Sequence, residues 1–259
     1  MKADRFRWGV ELALIAAVSL GQSAIYAIVR LVDISTRGPI SDAQAKLNTS
    51  ESVRPLFDLV YQLLGIGFAV VPVVLALWFM ARDRDTDPSI PSLRTRTGWP
   101  VNLRGWMVHV LWGAGLFVVI GAGTLGVYFL GRTLGVTAQI MPNNLNAYWW
   151  TVPVLILHAI KNGVLEEVLL LGYATDRLHK MRISPWVAII SLALFRGSYH
   201  LYQGIGPFVG NVLMGLLFGY LYFFGPRSIR GSVMPFVWAH TFIDVVGFIA
   251  PGILQAVDA

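Results

Sequence analysis

The sequence predicts an all-α protein, a polytopic bundle of transmembrane helices. Three observations predict it. Hydrophobic residues make up 56% of the chain and charged residues only 13%, with a mean hydropathy of +0.63. An ordinary soluble domain carries about 25% charged residues, so this chain has too few to cover a water-facing surface. The apolar residues are gathered into runs long enough to cross a hydrocarbon core, which takes roughly 20 residues of helix. Finally, Lys and Arg cluster in alternate connections between those runs, the pattern of a chain threaded back and forth through a bilayer.

The runs, in order, are Trp8–Val32, Leu56–Ala81, Gly105–Leu130, Trp149–Tyr173, Ser184–Leu201, Pro207–Phe224 and Val233–Leu254. They predict about seven spans, with eight as the alternative count. The first begins after a basic start and carries Ser23-Ala24-Ile25-Tyr26-Ala27, which resembles a signal-peptidase site. Its apolar stretch exceeds the roughly 7–15 residues of a signal peptide core, so a retained anchor is expected. The connections Asp33–Pro55 and Arg82–Arg104 are rich in Pro, Ser, Thr and charge and read as polar loops. Gly210, Gly215 and Gly219 in the sixth run suit close helix packing. No internal repeat or low-complexity tract is evident.

One set of connections holds Lys2, Arg5, Arg7, Arg82, Arg84, Arg94, Arg96, Arg104, Arg177, Lys180, Arg182, Arg227 and Arg230. The other holds only Arg30, Arg37, Lys46, Arg54 and Arg132. The basic set marks the cytoplasmic side, which places the N-terminus inside and expects a multi-pass protein of the cell membrane. The lipid bilayer is therefore the first partner. The net charge of +6 is dispersed between apolar runs and forms no basic face, so no nucleic-acid partner is expected. The chain has no cysteine, which excludes disulfides, thiolate catalysis and Cys-ligated zinc.

Ionisable groups within spans are costly and mark functional sites. The fourth run carries His158, Lys161, Asn162, Glu166 and Glu167, the fifth Arg196 and His200, the sixth Asn211, and the seventh His240 and Asp244. The first three carry only Glu11, Asp58, Gln62 and His109, near their ends. Residues four apart share a helix face. His158, Asn162 and Glu166 thus form one stripe, Arg196 and His200 share a face, and His240 and Asp244 share another. Measured from the adjoining turns, Glu166 and Asp244 lie roughly 24 Å up, His200 roughly 27 Å and His240 roughly 18 Å, at 1.5 Å per residue. Acid and imidazole groups are therefore expected to converge at one depth. Lys161 reads as a snorkelling lysine, His158 and His109 as packing residues, and His179 as solvated.

Glu166-Glu167, then Phe195-Arg196-Gly197-Ser198-Tyr199-His200, then His240-Thr241-Phe242-Ile243-Asp244 resemble, in order and spacing, the three signature motifs of the CAAX prenyl endopeptidase and bacteriocin-processing family. That family comprises polytopic intramembrane proteases. The resemblance spans roughly Thr151 to Gly247 and departs from the family pattern twice. Leu171 stands where the motif-one arginine is usual, although Gly172 follows as expected. Four residues rather than three separate Phe195 from His200. The signatures of zinc site-2 proteases, rhomboids and presenilins are absent from the sequence.

The resemblance implies one integral membrane domain over residues 1–259, with three N-terminal spans in 1–145 and a four-span catalytic core in 146–254. It implies an endopeptidase acting on a membrane-associated protein or peptide. Glu166, Glu167, His200, His240 and Asp244 are its catalytic candidates, with Arg196 and Asn162 in support. Arg196 is expected to replace the missing arginine as partner of the Glu pair. Two mechanisms stay open. A zinc ion held by Glu166, His200 and His240 leaves one position for water; the same residues can also activate water without metal. Two other classes use the same polar cluster: a non-catalytic membrane partner or immunity-type protein, and a transporter. The missing inverted repeat argues against transport.

Overall fold

The protein is described from a computed structural model covering residues 2–141, 143 and 145–257, with side chains for 4–141, 143 and 145–250. Lys2 and Leu254 are described as backbone only. The chain runs through helices α1 (Lys2–Ala17), α2 (Leu20–Arg37), α3 (Pro55–Thr86), α4 (Leu93–Thr97), α5 (Leu103–Thr133), α6 (Thr151–Glu167), α7 (Thr175–Lys180), α8 (Pro185–Ser198), α9 (Ile205–Phe224) and α10 (Met234–Val257). A π-helical segment, Val168–Ala174, joins α6 to α7, and a 3-10 turn, Leu201–Gln203, precedes α9.

Among the described residues, α3, α5 and α9 are long and apolar enough to cross a membrane; α1 and α2 together add a fourth if the pair is one span. Helix α8 and the part of α10 up to Ala250 are apolar but shorter. Helix α6 is interrupted by the polar residues that the sequence analysis singled out. The outer faces are oily: Phe68 is 71% exposed and Val119 63%. Water would not tolerate such a surface at this scale, and lipid does. The chain is a helical membrane protein.

Three expectations need correction. The first run is not one straight helix: α1 and α2 meet at a 54° bend. The Ser19 hydroxyl bonds the Ile15 carbonyl at 2.5 Å, and a Cβ at Gly21 would lie 2.6 Å from the Ala16 carbonyl oxygen. Glycine therefore permits the elbow. Second, the chain is not purely helical. Strands β1 (Gln44–Lys46) and β2 (Gln139–Met141) pair in parallel, Ala45 opposite Ile140. Arg132 fastens this sheet by donating to the carbonyls of Ser41 at 2.6 Å and Thr137 at 2.8 Å. Third, the connection Arg82–Arg104 is not all loop. Helix α3 runs to Thr86, and α4 starts on a Ser92 side chain that caps the Thr95 amide.

At the end of the bundle opposite the sheet, the charges assigned to loops are buried and paired. Asp83 accepts from Arg177 at 2.6 Å, from Arg96 at 3.1 Å and from Lys180. Asp176 accepts from Arg96 at 2.6 Å and Arg177 at 2.9 Å. Glu11 pairs with Arg82 at 2.5 Å and Arg177 at 3.1 Å. This network ties α1, α3, α4 and α7 together, and it gives the basic connections a packing role besides their topological one.

The helices that carry the site pack closely. Gly163 lets α6 approach α10: a Cβ there would meet Thr241 Oγ1 at 2.7 Å and the Val237 carbonyl oxygen at 2.9 Å. Gly163→Ala is expected to cost about 1–3 kcal/mol by overpacking, read as a lower melting temperature in detergent. The Gly115→Ala control, where a Cβ meets nothing within contact distance, should leave it unchanged.

Candidate active site

The site is built on the last turn of α6, the end of α8 and the middle of α10. Glu166 and Glu167 are neighbours in sequence and face different surroundings. Glu166 accepts from the Tyr199 hydroxyl at 2.5 Å and has the Arg196 guanidinium 3.9 Å away. Its side chain keeps 10% exposure. Glu167 is fully buried. Its Oε1 accepts from Arg196 at 2.5 Å and faces His240 Nδ1 at 2.7 Å. One carboxylate oxygen thus joins α6, α8 and α10.

A carboxylate sealed from water is costly unless paired and hydrogen-bonded, and Arg196, 2% exposed, supplies the charge. Leu171, at the position of the family's arginine, lines a cavity of about 10 Å³ together with Glu167 and Arg196. Leu171 brings no charge to Glu167; Arg196 reaches it from the neighbouring helix. The guanidinium also lies 5.4 Å from the centre of the Phe218 ring, which fixes its plane.

His240 is held from both sides. Nδ1 takes Glu167, and Nε2 lies 3.8 Å from Asp244 one turn along α10. Asp244 accepts from Asn162 Nδ2 at 2.7 Å, so the stripe on α6 reaches α10 through Asn162. Farther along the stripe, His158 meets Gln62 of α3 at 2.8 Å, and Gln62 donates to the Thr49 carbonyl at 2.9 Å. His158 is a packing residue, as is His109, which lies 3.3 Å from the Ser228 carbonyl.

His200 departs from its expected setting. Helix α8 ends at Ser198, so His200 does not share a helix face with Arg196. The Ser198 hydroxyl turns back to the Phe195 carbonyl at 2.6 Å, and the His200 amide bonds Gly197 three residues back at 2.9 Å. Such i→i−3 bonding tightens a helix end. The turn sets the imidazole beside the Tyr199 ring, ring centres 4.9 Å apart and planes tilted by 43°. Both His200 ring nitrogens are buried without a hydrogen-bond partner among the described residues, while the ring lies within electrostatic reach of Glu166, His240 and Arg196.

His200 stands outside the described residues whose potential ligand atoms lie close together. The described residues that bring ligand atoms within 4.8 Å of one another are Glu166, Glu167 and His240. In that group Glu167 Oε1 and His240 Nδ1 are already spent on each other. The Arg196 cation sits among them as well, which opposes a second cation.

Sequence reasoning underrated two features. Tyr199 is the direct partner of Glu166; a phenol beside a motif histidine in an otherwise apolar helix was the available signal. The π-helical segment after Glu167 carries no composition signature, yet π-helical turns gather at functional sites.

The family model described as type II CAAX prenyl endopeptidase Rce1-like matches residues 148–246. No curated protein and no solved structure matches the chain. The matched segment runs from the start of α6 past Asp244 and holds every catalytic candidate. Over residues 148–246 the chain is similar to the Rce1-like type II CAAX prenyl endopeptidases.

Proposed function

We propose that the chain is an intramembrane endopeptidase that hydrolyses a peptide bond of a membrane-associated protein or peptide by a glutamate-activated water. One observation carries this reading: of two adjacent glutamates, Glu167 is fully buried with its Oε1 held by Arg196 and His240, whereas Glu166 keeps 10% side-chain exposure in the same cluster as His200, whose ring nitrogens have no hydrogen-bond partner among the described residues. Glu166 takes a proton from water as the oxygen attacks the carbonyl carbon. His200 and His240 stabilise the tetrahedral oxyanion. Glu166 then returns the proton to the leaving amine. Asp244 and Asn162 hold His240 in orientation, and Glu167 with Arg196 sets the spacing of the helices. The Arg196 guanidinium favours the metal-free route over a zinc shell, so a zinc chelator is expected to leave activity intact. Seven spans, a cytoplasmic N-terminus and residence in the cell membrane complete the proposal; the loop alternation of Lys and Arg supports them.

The test is cleavage of a farnesylated CAAX peptide reporter in proteoliposomes. The wild-type chain is expected to release product and Glu166→Gln to lose at least about a hundredfold, the low end of a general base's contribution. Equal cleavage by both would end the proposal.

A further inference from the structure

A cavity of about 240 Å³ lies beside the π-helical segment. Residues on both sides of the α1–α2 elbow line it, Ile15 and Leu20 among them, and Leu169 and Leu170 of the π-helical segment face them with Leu192 and Phe195 of α8. Ser19 and Ser191 also reach the lining, but their hydroxyls are spent. Ser19 donates to the Ile15 carbonyl and Ser191 to the Ala188 carbonyl at 3.2 Å. The hydroxyl of Tyr173, a further lining residue, is sealed within the protein. A water molecule needs two to four polar partners, and these side chains offer none. Apolar space of this kind stays dry, and about 150 Å³ already takes up a molecule the size of benzene. The cavity opens on the face that meets lipid: Ser191 is exposed, and Val187, Ile190 and Leu194 around it on α8 are each about half exposed. The medium at this mouth is hydrocarbon.

We propose that the cavity is a binding site for one acyl chain of a bilayer phospholipid, which enters past Ser191 and ends against Leu20, Leu169 and Leu170. The chain supplies the dispersion contacts that an empty space forfeits. It also backs a wall of the site. Phe195 meets Tyr199 edge-on, ring centres 5.9 Å apart, and Tyr199 is the donor to Glu166. The occupant is a resident lipid and not the substrate's own chain, because a substrate chain belongs beside Glu166. Neither Glu166, His200 nor His240 lines the cavity. Leu170 and Leu192 are shared with the small space that Glu167 and Arg196 line, so the cavity borders the sealed glutamate and not the accessible one. The assignment goes beyond the peptidase reading and needs no catalysis.

The test uses the full chain in nanodiscs of palmitoyl-oleoyl phosphatidylcholine, part of it carrying a diazirine at the end of one acyl chain. After irradiation, mass spectrometry maps the adducts. Lipid around the bundle should mark outward positions such as Val119. A chain in the cavity should also mark Leu20, Leu169 and Leu170, which are no more than 5% exposed and out of reach of surrounding lipid. Ser191→Phe, which plugs the mouth, is expected to lower the buried adducts about tenfold relative to those on Val119, the effect of overfilling a packed space. Ile190→Phe, one residue away and outside the lining, should leave that ratio unchanged, and so should an excess of the farnesylated CAAX peptide. Adducts confined to outward positions overturn the proposal, and the wild-type map alone decides this whether or not the variant folds. A buried signal indifferent to Ser191→Phe overturns it as well. A buried signal displaced by the peptide gives the cavity to the substrate's isoprenyl chain and overturns the resident lipid.

Discussion

Replacing Asp83 with Asn is expected to lower stability by about 3–5 kcal/mol, the range for removing one partner of a buried ion pair. Asp83 is 3% exposed and accepts from three cations, one of them the fully buried Arg177. Neutralising it leaves Arg96, Arg177 and Lys180 to share Asp176 and Glu11. Asp176 already faces all three, at 2.6 Å from Arg96, 2.9 Å from Arg177 and 3.5 Å from Lys180, so no unused carboxylate takes the place of the lost charge. For a chain of this size about 2–4 °C accompany each kcal/mol, so a fall of about 10 °C in melting temperature is the expected reading. Asp85, exposed and two residues on in the same helix, provides the control: Asp85→Asn should move the midpoint by no more than a degree or two, since exposed pairs contribute little. Equal effects of the two would mean that the cluster is ornament.

The second large effect lies at the centre of the site. Glu167→Gln and Arg196→Met should each destabilise by about 3–5 kcal/mol, because each strands the other's charge in a dry interior. The double variant should lose far less than the sum, since it leaves no orphaned charge there. A coupling of about 2 kcal/mol or more is expected, in the upper part of the range for contacting residues. Melting curves in detergent for the four chains give the cycle. Additive losses would mean that the 2.5 Å contact carries no energy and that Arg196 does not stand in for the arginine missing at Leu171.

The helices of this fold and most of the site were legible in the sequence because both are written in local signals. Apolar runs mark α3, α5 and α9, and a carboxylate or imidazole inside such a run is too costly to be incidental. Glu166, Glu167, His240 and Asp244 were therefore identifiable one by one. What was not legible depends on contacts between distant segments. The elbow at Ser19 lies within an unbroken apolar run, and nothing in hydropathy distinguishes a bend there. The three-residue strands bring together two distant connections, which Arg132 also links through the Ser41 and Thr137 carbonyls. Glu11 looked like an ordinary span-end acid and Asp83 fell within a polar connection, since the cations that pair with them come from α3, α4 and α7. His200 was misplaced on its helix because a helical wheel assumes that the helix continues, and Gly197 and Ser198 end it.

The π-helical segment Val168–Ala174 lies between the two anchored parts of one continuous rod, with Glu166 and Glu167 before it and Asp176, Arg177 and Lys180 after it. Those anchors fix not only where the rod sits but how far it is wound. A single residue added or removed turns everything beyond it by about 100° and 1.5 Å, so that either the glutamates face their partners or Arg177 faces Asp83, but not both. The length of this segment is therefore fixed from both ends, and the seven residues from 168 to 174 act as a ruler between them.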